Sequence, residues 1–130
     1  MRTSILLLTL ATFTACDSDK GVTRFNASPS ANITSHVDGA TLLEGYTVTF
    51  EGTVTDPDHG FDELEAQWKV NGNLACDFAP VDDEGNSTCD AIIGAEDSEV
   101  SLIARDIEGA TGNTAVTFVV TPTEAPVAEI

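Results

Sequence analysis

The sequence predicts an all-β fold, an antiparallel sandwich of about seven strands. Three observations carry that expectation. Tyr46, Val48, Phe50 and Val54 alternate with Thr47, Thr49, Glu51, Thr53 and Thr55, the period of a half-buried strand. The only tryptophan, Trp68, shares an apolar face with Leu64, Ala66 and Val70, while Glu65, Gln67 and Lys69 take the other face. A large aromatic residue in mid-strand is a natural core centre. Turn signals recur at short, regular spacing, and no useful stretch has helical period, so helices packed on a parallel sheet are not expected.

Taken in order, Pro29 to Ile33 opens a short strand, with Ile33 and Val37 expected in the core. Asp38-Gly39 marks a turn. Leu42-Leu43-Glu44-Gly45 leads over to the Tyr46 strand, and an Asp/Pro/Gly/His loop joins that strand to the Trp68 strand. Asn71-Gly72 is a strong two-residue hairpin signal. Leu74 to Ala79 returns as a strand, Val81 to Asn86 is an acidic loop, and Ser87 to Ile93 is the next strand. From Glu99 to Asp106, Val100, Leu102 and Ala104 point inward; Ile103 falls on the outer face and breaks the pattern. After the Ile107 to Gly112 turn, Val116, Phe118 and Val120 share one face of a closing strand, Thr114 to Thr121.

The N-terminus reads as an address. Met1 and Arg2 precede the apolar run Ile5 to Leu10, which is too short to span a bilayer and has the flanks of a secretory signal. Thr14-Ala15 directly before Cys16 resembles a bacterial lipobox, in which the cysteine becomes the lipid-bearing mature N-terminus. An ordinary cleaved signal with a cysteine nearby is the alternative. The expected organisation is a lipoprotein signal peptide (1–15), a flexible polar tether (16–28), a sandwich (29–122), and a linker or the start of a second repeat (123–130). The last element rests on Pro29-Ser-Ala-Asn-Ile33 recurring as Pro126-Val-Ala-Glu-Ile130, about one domain length later.

The formal net charge of the 130-residue chain is −17, and its five basic residues do not cluster. Nucleic acid and anionic membrane surfaces are therefore excluded as electrostatic partners. Cys76 and Cys89 remain after Cys16 and are expected to form a disulfide in an exported chain. Their midpoint falls in the acidic loop, so two strands pairing antiparallel around it would set them opposite each other. Asp56 and Asp58, after the second strand, and Asp106, at the end of the Val100 strand, are expected at one end of the sandwich. With Asp62 or Glu63 they offer hard oxygen donors suited to Ca²⁺. The alternative is structural, with short Asp side chains accepting backbone N–H bonds in turns. His36 and His59 are distant in sequence, with no nucleophile or carboxylate in a known catalytic spacing; His59 beside Asp58 reads as a solvated loop histidine, with membership of a metal site as the alternative. No phosphate loop, metalloprotease motif or nucleophile elbow occurs, so no enzyme is expected.

The order of strand, Asp-rich loop, Trp strand, hairpin and then V-x-L-x-A-x-D-x-x-G from Val100 to Gly109 resembles the Ig-like domains of bacterial surface proteins, PKD-like and cadherin-like modules in particular. The resemblance covers about Pro29 to Pro122. It implies an Ig-like sandwich, and Asp-x-Asp loops of this kind ligate Ca²⁺ in cadherin-like modules. The expectation is a lipid-anchored lipoprotein of the bacterial cell envelope, at the outer membrane, cell surface or periplasmic face, acting as a structural spacer or as a binding or adhesion domain. The alternative is the non-catalytic accessory domain of a secreted multidomain enzyme. The expected partners are a membrane, through the lipid on Cys16, and an envelope or extracellular protein or glycan. No cofactor is required, and Ca²⁺ is the one candidate ion.

Overall fold

The alternation around Trp68 folds as it reads. The computed structural model describes residues 25–123. Among them the strands are β1 (Ser30–Ile33), β2 (Ala40–Leu43), β3 (Thr47–Thr55), β4 (Leu64–Val70), β5 (Asn73–Pro80), β6 (Asn86–Ile92), β7 (Glu99–Asp106) and β8 (Thr111–Thr121). One sheet has the order β1-β3-β6 and the other β2-β8-β7-β4-β5. The chain is an Ig-like β-sandwich. Every pairing is antiparallel except β2 on β8.

The strands number eight among the described residues, one more than the sequence predicts, because the Leu42 segment is a strand and not a connection. It spans four residues, and Leu42 alone among them is buried, so it carries too little alternation to read. Its partner is β8, the last strand among the described residues, and nothing local announces that pairing. Two expected core residues lie outside: Val37 is 77% exposed and Tyr46 59% exposed. Val37 falls in the crossing between β1 and β2, and Tyr46 precedes β3, so neither inherits a strand's inward phase.

Trp68, Phe50, Leu64, Ile93, Leu102, Val54 and Val100 are the largest fully buried side chains. Burial of each large apolar side chain contributes about 1.5–3 kcal/mol. Trp68 and Phe50 stack across the two sheets with centroids 6.1 Å apart. The Trp68 indole N–H donates to Ser87 Oγ at 2.9 Å, so the one polar atom of the core's centre has a partner. Gly52 takes the inward position between Phe50 and Val54, where a Cβ would stand 2.5 Å from Leu102 Cδ2 and 2.8 Å from Asn32 O. The gap in the greasy face of β3 is thus filled from the opposite sheet. Ile103, out of phase, lies half-buried on the outer face of its sheet. On that face Arg105 pairs with Glu65 and covers the Phe78 ring at 3.8 Å.

Asn71 (φ 48°) and Gly72 (φ 76°) are both left-handed, as a two-residue hairpin turn requires. β1 begins opposite Thr55, whereas β8 starts beside Arg105 and ends beside Leu43. The chain therefore enters the sandwich at the end that carries Asp56 and Asp106 and leaves at the other end.

Candidate functional site

The chemistry-bearing side chains converge where the chain enters. Asp56 follows β3, and Pro57 presets φ for a turn. Asp56 Oδ1 accepts the backbone N–H of Asp58 at 2.7 Å and of His59 at 3.0 Å. That folds the loop back, so His59 Nδ1 lies 3.2 Å from the same oxygen. Asp106 closes β7 on its inward phase and pairs with Leu64 at the start of β4. Its Oδ1 accepts Ala110 N–H at 2.9 Å, and its own N–H donates to Ala110 O at 3.0 Å. This is the turn lock that its position in the sequence suggests.

Asp106 Oδ2 faces two further groups. It accepts from Asn26 Nδ2 at 2.7 Å and lies 3.9 Å from His59 Nδ1. The second ring nitrogen of His59 is 3.6 Å from Glu108 Oε1. One donor atom each from Asp56, His59 and Asp106 lie within 4.8 Å of one another. The three side chains are 0%, 6% and 0% exposed. Two acceptors are fully enclosed without a hydrogen-bond partner among the described residues, Asp56 Oδ2 and Asn26 Oδ1.

Electrostatics follow from this packing. Burial alone would lower the His59 pKa. The hydrogen bond with Asp56 and the charges of Asp56, Asp106 and Glu63 outweigh it and hold the imidazole above its ordinary 6.5. Burial would likewise raise Asp106. Hydrogen bonds from Asn26 and from the backbone at Ala110 and Glu108, with His59 nearby, hold it below the usual aspartate value.

The structure thus brings together Asp56 and Asp106, two of the three aspartates expected to share a cation. Asp58 is not among the converging donors; its Oδ2 accepts the Ala27 N–H at 2.7 Å. His59 reads in the sequence as a solvated loop residue or, beside Asp58, as a member of a metal site; the structure sets it against Asp56 and Asp106 instead. Only the fold brings Asp106 to it. The spacing Asp56-x-x-His59 was the available signal, since a turn closed on Asp56 returns the third residue to the same carboxylate. Asn26 and Ala27, which read as the end of a tether, bind Asp106 and Asp58 and so belong to the site.

Cys76 and Cys89 form a disulfide with Cα atoms 6.0 Å apart. The geometry differs from the expected one. β5 and β6 are not hydrogen-bonded neighbours; each is the edge of a different sheet. Cys76 lies beside Trp68 and Cys89 beside Phe50, so the bond joins the two sheets next to the stacked aromatic pair. Cys16 and the Pro126 to Ile130 segment lie outside the described residues.

No protein-family profile and no curated protein matches the chain. Solved structures do. The chain is similar to the fibronectin(III)-like modules of CbhA from Clostridium thermocellum, with a TM-score of 0.57 and 18% identity over 73% of this chain and 47% of that one. It is similar to the PKD domain of an M14-like peptidase from a Thermoplasmatales archaeon, with a TM-score of 0.54 and 19% identity over 73% of this chain and 99% of that one. A third similarity is to a Corynebacterium diphtheriae protein described as membrane anchored, with a TM-score of 0.52 and 19% identity over 78% of this chain and 23% of that one. The chain thus spans about half the length of the CbhA structure and a quarter of the diphtherial one. At these identities the likeness establishes the fold alone: a sandwich of the Ig, fibronectin(III) and PKD kind.

Proposed function

We propose that this domain is an exported in-line spacer, anchored to a bacterial envelope membrane by a lipid on Cys16 and holding or contacting an envelope or extracellular protein or glycan. The observation that carries the reading is the placement of the chain ends. Entry beside Asp56 and exit beside Leu43 put them at opposite poles. The eleven residues of β8 cover roughly 35 Å between them. A module of this kind adds its full length to whatever it carries. Asn26 and Ala27, fastened to the base, make the junction with the preceding segment stiffer than a free tether. The disulfide joining the sheets suits an oxidising compartment. The apolar run before Thr14-Ala15-Cys16 supplies the export signal and the acylation site. Several acyl chains, at about 0.8 kcal/mol for each buried CH₂, anchor far more firmly than one.

Fractionation tests the anchor. Wild type should partition with membranes and show the mass increment of acyl chains, and Cys16→Ser should move to the soluble fraction. Soluble wild type without the increment removes the lipoprotein reading. The accessory-domain alternative draws on the CbhA and peptidase similarities, in which such modules belong to larger proteins. A catalytic domain in the same polypeptide would favour it over the spacer.

A further inference from the structure

We propose that Asp56, His59 and Asp106 form a binding site for a divalent transition-metal ion of the zinc class, placed so that it locks the incoming segment to the base of the sandwich. The donor set is two carboxylates and an imidazole, each at least nine-tenths buried. Calcium takes six to eight oxygens; a buried imidazole among so few donors suits zinc and its neighbours instead. The separations fit as well. Four ligands at 2.0–2.1 Å around a tetrahedral ion lie about 3.4 Å apart, and His59 Nδ1 is 3.2 Å from Asp56 Oδ1 and 3.9 Å from Asp106 Oδ2.

Two further observations point to a ligand and not merely to a turn. Asp56 Oδ2 is enclosed and has no hydrogen-bond partner among the described residues, although the loop geometry is already satisfied through Oδ1. A buried carboxylate oxygen without a partner is costly, and Asn26 Oδ1 repeats the situation on the Asp106 side. In addition, His59 Nε2 is 3.6 Å from Glu108 Oε1. When one imidazole nitrogen holds a metal, a carboxylate commonly accepts the N–H of the other, fixing tautomer and ring orientation. Glu108 is positioned for that role. Because Asn26 binds Asp106 and Ala27 binds Asp58, the ion would couple metal supply to the stiffness of the junction.

The test uses the full chain, stripped with chelator and titrated separately with Zn²⁺, Co²⁺ and Ca²⁺. Zinc should raise the melting temperature by several degrees, at concentrations at least about 100-fold below those at which calcium has any effect. Cobalt should give the visible absorption of a low-coordinate site. His59→Gln should abolish the cobalt spectrum and weaken zinc binding on the order of 100-fold while the fold and the disulfide persist. Glu108→Gln, a change at an exposed side chain, should weaken zinc about 10-fold without disturbing the stripped protein. The proposal is overturned if zinc leaves the wild-type melting curve unchanged up to 1 mM (the order of the weakest extracellular metal sites), since a proton shared by His59 and Asp56 would then suffice. It is equally overturned if calcium matches zinc, or if His59→Gln binds zinc as wild type does.

Discussion

The two open sides of the sandwich are closed by different means. On one side the chain itself is the seam. β1 pairs with β3 in the small sheet, and six residues later β2 pairs with β8 in the large one. The crossing is bonded along its length: Thr34 and Ser35 N–H donate to Glu51 O, Gly39 N–H donates to Thr117 O, and Asp38 Oδ1 accepts from Thr117 N–H and Oγ1. On the other side β5 and β6 are edges of different sheets that do not pair with each other, and the chain joins them directly through the 81–85 loop at one end. There the Cys76–Cys89 bond supplies the link. The hydrogen-bonded seam forms wherever the chain folds. The covalent one needs an oxidising compartment, so the two sides should respond differently to redox conditions.

The largest expected effect breaks the covalent seam. Replacing Cys76 and Cys89 together by Ala should lower stability by about 3 kcal/mol, the chain-entropy value for a loop near this size. The loss should be visible in thermal or denaturant unfolding. Amide exchange should rise first in β5 and β6 and leave β1, β2 and β8 close to wild type. Uniform loosening of both sides would show that the disulfide acts on the whole fold and that the contrast of seams is wrong.

A second change breaks the hydrogen-bonded seam. Gly112 in β8 lies against the start of the domain, where a Cβ would fall on Pro29 O, with the Pro29 carbonyl carbon 3.0 Å away. Those atoms are backbone and cannot swing aside. Gly112→Ala should therefore displace the 25–30 segment and cost about 1–3 kcal/mol, the range for overpacking. Reduction should add to that loss, because the sites lie on opposite sides of the molecule. A double-mutant analysis of the Gly112 and cysteine changes checks additivity. A coupling well above 0.5 kcal/mol would mean that the seams are not independent.

The sheets were legible in the sequence wherever a strand was long enough to alternate: β3, β4 and β7 read cleanly because each buries every second side chain against the other sheet. β2 was illegible because its stability comes from a partner at the far end of the chain. The cysteine pair was legible from its compartment and number, yet the reason was different: proximity comes from sandwich thickness at two edges, not from pairing across a hairpin. In the candidate site, Asp106 could be placed by its inward phase. The surroundings of His59 could not, because Asp106 and Glu108, which face its two ring nitrogens, are far from it in sequence.

The smallest effect sharpens the comparison at the loop joining the two edges. Asp82 there is a local turn former. Its carboxylate accepts the Glu84 and Asn86 backbone N–H groups at 2.9 and 2.8 Å and the Asn86 side chain at 3.0 Å. The bonds from Asn86, backbone first, hold its pKa below the ordinary 3.8. A carboxyl whose folded-state pKa is depressed contributes stability that is fully present above the unfolded value and disappears as pH falls through the folded one. The loop's contribution should therefore be constant at neutral pH and be lost only below about 3.8, where Asp82 protonates. Asp82→Ala should remove a small increment at pH 7 and flatten the acid limb of the stability curve below that point. The step should be easier to see once the disulfide is reduced, since the loop is then the remaining covalent path between β5 and β6. Melting temperatures of wild type and variant from pH 7 to pH 2.5, oxidised and reduced, decide it. If the two acid limbs stay parallel in both redox states, Asp82 does not hold the loop, and the edges rely on the disulfide alone.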